Sequence, residues 1–151
     1  MTKIEDMPSV AKDFISNLEL NIPEHQAWTE AKPACERRVS IVSTAAISNR
    51  GDKPFSWLAR DYRVIKKNDR DFVMTHVAVE FDRSAWQQDL NVIFPLDRLN
   101  EMAKSKEIGS VADEHYSFMG AADPMTMEKS ARQVANKMKI EGVDTVFLIP
   151  I

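Results

Sequence analysis

Two histidines and a handful of polar side chains hold the chemistry this chain could perform. His76 and His115 are candidates for acid–base catalysis, because an imidazole takes up and releases a proton near neutral pH. His76 follows a short β-branched run, and Asp82 with Arg83 stands a few residues further on. That pair could hold the amino and carboxylate groups of a small substrate, or simply each other. His115, Ser117 and Gly120 occupy a short, loop-like segment, and a loop above a sheet is well placed to line a pocket. Thr44 lies late in an apolar run and offers a hydroxyl to a ligand. Each has a plain reading as well: a satisfied structural histidine, a loop ion pair, an ordinary connection, a structural hydroxyl. The residue types leave both open.

Other chemistries have less to stand on. The single cysteine, Cys35, permits no internal disulfide and no cysteine-only metal site. It precedes the first apolar run, and an idle thiol is the simpler reading. The three histidines are far apart and form no HExxH or other ligand-pair spacing, so no metal is expected. His25 is assigned no role, and Asp97 reads as a helix start. With four glycines in 151 residues there is no Gly-rich phosphate loop. A formal charge of −3 gives no basis for nucleic-acid or acidic-membrane binding. The pairs Arg37–Arg38 and Lys66–Lys67 read as solvated surface. The first 22 residues carry acids throughout and have no apolar core of the signal-peptide type, and no apolar stretch is long enough to span a bilayer. A cytoplasmic protein is therefore expected.

The elements that must position these residues read as α/β. Met7 to Leu20 has Val10, Phe14, Ile15 and Leu18 at helical spacing and stops before Pro23. Val39 to Ile47 is β-branched and nearly uncharged, the texture of a strand covered on both faces. Tyr62 to Ile65 and Phe72 to Val79 are further strands around the turn residues 68–71. A helix is expected from Phe94 to Ser105, then irregular segments with some strand. The last helix starts at Asp123–Pro124, carries Met127, Ala131, Val134, Ala135 and Met138 on one face, and stops at Gly142. Val143 to Ile151 follows as the most apolar strand, expected at the centre of the sheet. Helix, glycine and strand in that order are half of a βαβ unit. The sum is a Rossmann- or flavodoxin-like layered domain with a mainly parallel sheet over residues 39–151, preceded by a helix and irregular lead-in over 1–38. In such sheets ligands gather outside the carboxyl ends of the strands, where Val143 to Ile151 terminates. Two readings stay open on the residues alone: a central strand whose continuation is missing, or an edge strand that ends a complete small domain.

Several ordered blocks resemble the selenoprotein B family of glycine, sarcosine, betaine and D-proline reductases, especially its short stand-alone bacterial members. They are ERRVSIVSTAA from Glu36, RGDKPF from Arg50, DYRVI from Asp61, HVAVEFDR from His76, QQDLNVIFPLDRL from Gln87, IGSVAD from Ile108, HYSFMG from His115 and GVD from Gly142. The resemblance spans Glu36 to Ile151 and favours the first of the two readings, a layered domain whose C-terminal part is missing. It implies that the last strand leads to a selenocysteine or cysteine just after Ile151, followed by a second cysteine. It also implies a reading frame ended at a selenocysteine codon, so that this chain has no redox residue and is inactive as it stands.

For the intact protein the resemblance implies selenol- or thiol-dependent reductive cleavage of a C–N bond in an amino-acid-like substrate. His76 or His115 would deliver a proton to the leaving amine or thiolate. Thr44, Asp82, Arg83, Ser117 and Gly120 would contact the small molecule. The partners are a thiol reductant or redox protein, with homo-oligomerisation left open. The rival expectation is a non-catalytic binding or interaction domain that keeps the fold. A third is an enzyme using His76 or His115 without a thiol.

Overall fold

The computed structural model of the chain describes residues 3–17, 28–77 and 83–151. The chain divides into two compact units, Met1–Glu30 and Ala31–Ile151. In the first, helix α1 spans Ser9–Ser16. Val10 is exposed, and Leu18, expected to extend the apolar face, lies outside the described residues.

The second unit is α/β with a mostly parallel sheet. Strand β1 (Arg38–Ser43) is its axis. Next come β2 (Ile47–Asn49), β3 (Tyr62–Lys66) and β4 (Phe72–Met74). Helices α2 (Ser84–Gln88) and α3 (Leu96–Lys104) follow, then β5 (Ser110–Val111), β6 (Glu114–Phe118), α4 (Glu128–Ile140) and β7 (Thr145–Ile149). Parallel to β1 run β5, β6 and β7, while β3 pairs antiparallel with β6. Val39 pairs with both Val111 and Thr145, and Val42 with both Tyr116 and Leu148. A strand has only two edges, so β5 and β6 share one edge of β1 and β7 has the other. β2 and β4 form a separate antiparallel pair.

Alternation along β1 gives each face its own core. Val39 and Ile41 pack with Ile65, Phe94, Leu96 and Leu99 on the α3 side. Val42 packs with Tyr116, Phe118, Val134 and Met138 on the α4 side. Burying a side chain of that size stabilises by roughly 1.5–3 kcal/mol, so Val134 and Met138 are what hold α4 down.

The α4–β7 joint is set by its sequence. Gly142 adopts φ +76°, its N–H donates to Lys139 O at 3.1 Å, and Val143 N–H reaches back to Met138 O at 2.9 Å. That is a Schellman cap, and the left-handed residue it needs is the glycine. Upstream, Asp123 accepts the Met125 N–H as expected, but it caps a 3-10 turn, Pro124–Met127, that precedes α4.

Several expectations change. The run Val39–Ile47 is two strands in two sheets, because Ser43 Oγ takes the Ala45 N–H at 3.2 Å and Ala46 turns to φ +51°. The loop-like segment at His115 and Ser117 is strand β6. Ala131 and Ala135 are exposed, so the apolar face of α4 is narrower than its composition suggests. The last strand is at the rim: Val146, Phe147 and Leu148 are exposed, although the strand pairs with β1 over five residues. Of the strand expected over Phe72–Val79, Phe72–Met74 is strand, Thr75, His76 and Val77 continue as irregular chain, and Ala78 and Val79 lie outside the described residues.

Candidate functional site at the carboxyl ends of the strands

Because β1, β6 and β7 are parallel, their carboxyl ends share one edge of the sheet. Thr44 follows β1, Met119 and Gly120 follow β6, and Pro150 and Ile151 follow β7. The three strand ends are tied together. Ile151 N–H donates to Thr44 Oγ1 at 2.8 Å, Thr44 Oγ1 lies 3.4 Å from Ile151 O, and Thr44 N–H donates to Ile149 O at 3.1 Å. Gly120 closes the other side. A Cβ on it would stand 2.5 Å from Thr44 Cβ, and its φ of +76° suits glycine.

His76 joins this edge through Met119, whose backbone its imidazole hydrogen-bonds. It is 9% exposed. Burial holds its pKa below the usual 6.5, the positive charge of Arg83 adds to that, and the bond to Met119 opposes both. The imidazole is therefore neutral at pH 7. Arg83 Nη2 donates to His76 O at 3.0 Å, which brings a guanidinium to the same corner. Val77 packs with Ala46, Phe55, Ala59 and Met119 beneath it. Thr44, His76, Arg83 and Gly120 thus form one chain of contacts at the edge where α/β sheets hold ligands.

Two of the other expected site residues lie elsewhere. Asp82 lies outside the described residues. His115 and Ser117 are fully buried inside the sheet, on the α3 side. His115 Nδ1 accepts the Ile41 N–H at 3.0 Å, and its ring stands edge-on to Phe94 at 5.9 Å. An acceptor at Nδ1 places the proton on Nε2, which has no hydrogen-bond partner. Desolvation lowers its pKa to about 4. Ser117 Oγ is likewise buried without a partner. These two side chains shape the core and do not open onto the strand-end edge.

Cys35 is exposed in the turn Ala34–Glu36. It lies before the amino end of β1, about 20 Å of extended strand from Thr44 at ~3.3 Å per residue. Among the described residues no group of three or more His, Cys, Asp or Glu side chains could hold a metal. None of the described helices is long and apolar enough to cross a membrane.

Sequence reasoning missed an ion network at the opposite end of the sheet. Arg38, read as solvated surface, has a side chain only 26% exposed. Its Nη2 bonds Glu141 at 2.8 Å and Asp113 at 3.2 Å. Glu141 also accepts the Asp113 N–H, and Lys67 pairs with Asp113. The signal available was position: an arginine opening an apolar strand must thread its stem past the core. An open surface pocket of about 350 Å³ lies beside this network, lined by Asp113, Glu114, Lys137, Ile140 and Glu141.

A sequence model of the family described as glycine/sarcosine/betaine reductase selenoprotein B matches residues 10–150. The chain belongs to this family. The match begins well upstream of Glu36, so it also takes in most of the N-terminal unit. This member is 29% identical over 147 residues to the D-proline reductase subunit gamma of Acetoanaerobium sticklandii, an alignment covering 93% of this chain and 60% of that subunit. The chain thus spans about three-fifths of the length of the curated relative it matches. No solved structure matches it.

Proposed function

We propose that this family member forms the substrate-positioning part of a reductase subunit that cleaves a C–N bond in an amino-acid-like molecule. The observation that carries this reading is the convergence of Thr44, His76, Arg83 and Gly120 at the carboxyl ends of β1, β6 and β7, in a chain matched by a reductase-selenoprotein family over residues 10–150. A selenol or thiol together with a second thiol, both from outside these 151 residues, would supply the two electrons and two protons that turn C–N into C–H and N–H. The pair would close as a selenide–sulfide or disulfide bond that an external thiol or redox protein would reopen.

The chain's own groups do the rest. The guanidinium of Arg83 suits a substrate carboxylate. His76, neutral at rest, gains a proton only where negative charge gathers beside it, and it gives that proton readily to a departing amine. Gly120 lets the turn after β6 pack directly against the Thr44 side chain, which holds the strand ends together at this edge. Thr44 fixes where the chain leaving β7 is held.

Calorimetric titration of the chain with glycine, sarcosine, betaine and D-proline tests the binding half. One of them is expected to bind, and Arg83→Gln to weaken it about tenfold, the loss of one charge-assisted pair. Binding by none, or unchanged binding in the variant, removes the proposal. Sequencing past codon 151 tests the redox half, for which an in-frame selenocysteine or cysteine codon is expected.

A further inference from the structure

Strand β7 has the composition of an interior parallel strand and the position of a rim strand. Thr145–Ile149 reads Thr-Val-Phe-Leu-Ile, an uncharged run of the kind found where a parallel strand is covered on both faces. Yet Val146 is 42% exposed, Phe147 47% and Leu148 68%. Register places Val146 beside Ser40 and Leu148 beside Val42, on the α4 side, and Phe147 beside Ile41 on the α3 side. Both faces of β7 are therefore bare.

The fold explains why α4 leaves them so. Its buried residues, Val134 and Met138, sit over Tyr116, Phe118 and Val42, above β6 and β1. On the α3 side, Ile149 alone among β7 residues packs against the core. Rim strands are normally blunted by a charge, a proline or a bulge, and none interrupts Thr145–Ile149.

We propose that β7 is the docking edge for an α/β polypeptide segment, which adds a parallel strand along Thr145–Ile149 and lays a helix across Val146 and Leu148. Three features select this occupant over a second copy of the chain. Two bare faces need a covering layer as well as a strand, and two-fold pairing of β7 with itself sets two bare strands side by side. Parallel strands arrive with a crossover, usually a helix, which is the layer required. The D-proline reductase gamma subunit has two-fifths of its length without a counterpart in this chain, which is ample polypeptide for a strand and its helix. The inference stands apart from the catalytic reading above.

The test co-expresses the 151-residue chain with the portion of that gamma subunit lying outside the match. The expected result is a 1:1 complex by sedimentation, with amide exchange along 145–149 slowed at least tenfold. Val146→Lys and Leu148→Lys, at exposed positions, should leave thermal unfolding of the isolated chain unchanged and abolish the complex. Two results overturn the proposal. One is a homodimer that protects the β7 amides and is dissolved by the same lysines. The other is a chain that stays alone, wild type and variants alike.

Discussion

The side chain of Thr44 occupies the space that a Cβ at residue 120 would need, 2.5 Å from Thr44 Cβ. Gly120→Ala should therefore combine a clash with the strain of a left-handed backbone. A loss of about 1–3 kcal/mol is expected, read as a lowered midpoint in urea. An unchanged midpoint would show that the strand ends can part freely.

Thr44 also holds Ile151 through its hydroxyl. Thr44→Val keeps the shape and removes the hydrogen bonds, whereas Thr44→Ser keeps the hydroxyl. Faster exchange of the Ile151 amide is expected in the valine variant and near-native exchange in the serine variant, with at most about 1 kcal/mol lost in either. Equal exchange in both would mean that the hydroxyl does not tether the chain.

His115 makes stability depend on pH. Its folded pKa is about 4, against 6.5 for the ordinary imidazole. Between those values the unfolded chain binds a proton that the native state excludes. Stability contributed by the neutral ring is thus complete above about pH 6.5 and is lost as pH falls towards 4, on the order of 3 kcal/mol in all. Asp113 opposes the shift, while Arg38 and Lys67 reinforce the desolvation that drives it. Urea titrations at pH 7 and pH 5 should show the drop. His115→Asn, which can still accept the Ile41 N–H, should flatten it.

At the other end of the sheet, Arg38→Met keeps the aliphatic stem and removes the charge that Glu141 and Asp113 share. Glu141 has a side chain only 18% exposed, so stranding it should cost about 1–3 kcal/mol. A double-mutant cycle with Glu141→Gln checks this: the coupling energy should exceed about 0.5 kcal/mol.

Much of the second unit is legible in the residues. The Asp123–Pro124 start, the Gly142 stop and the β-branched runs carry their own local signals, and those elements stand where expected to within a few residues. Interruptions are less legible. That Val39–Ile47 breaks at Ser43 depends on one side-chain hydroxyl competing for a backbone amide, an event no hydrophobic pattern records. The candidate site was half legible. Thr44, His76, Arg83 and Gly120 meet, whereas His115 and Ser117, read as loop residues, are core residues of β6. A five-residue strand with His and Ser among aromatics has no clean alternation to mark it.

The sequence by itself determined the α/β class, the cap chemistry of the last helix and membership of the selenoprotein B family, because these follow from local residue order. Only the tertiary structure decided that β7 lies at the rim with both faces bare, that Arg38 is a network residue, and that one histidine reaches the strand ends while the other is sealed in the sheet. Those outcomes depend on which strands neighbour which. Strand order is fixed by pairing between segments distant along the chain, and apolar composition alone does not name the partner.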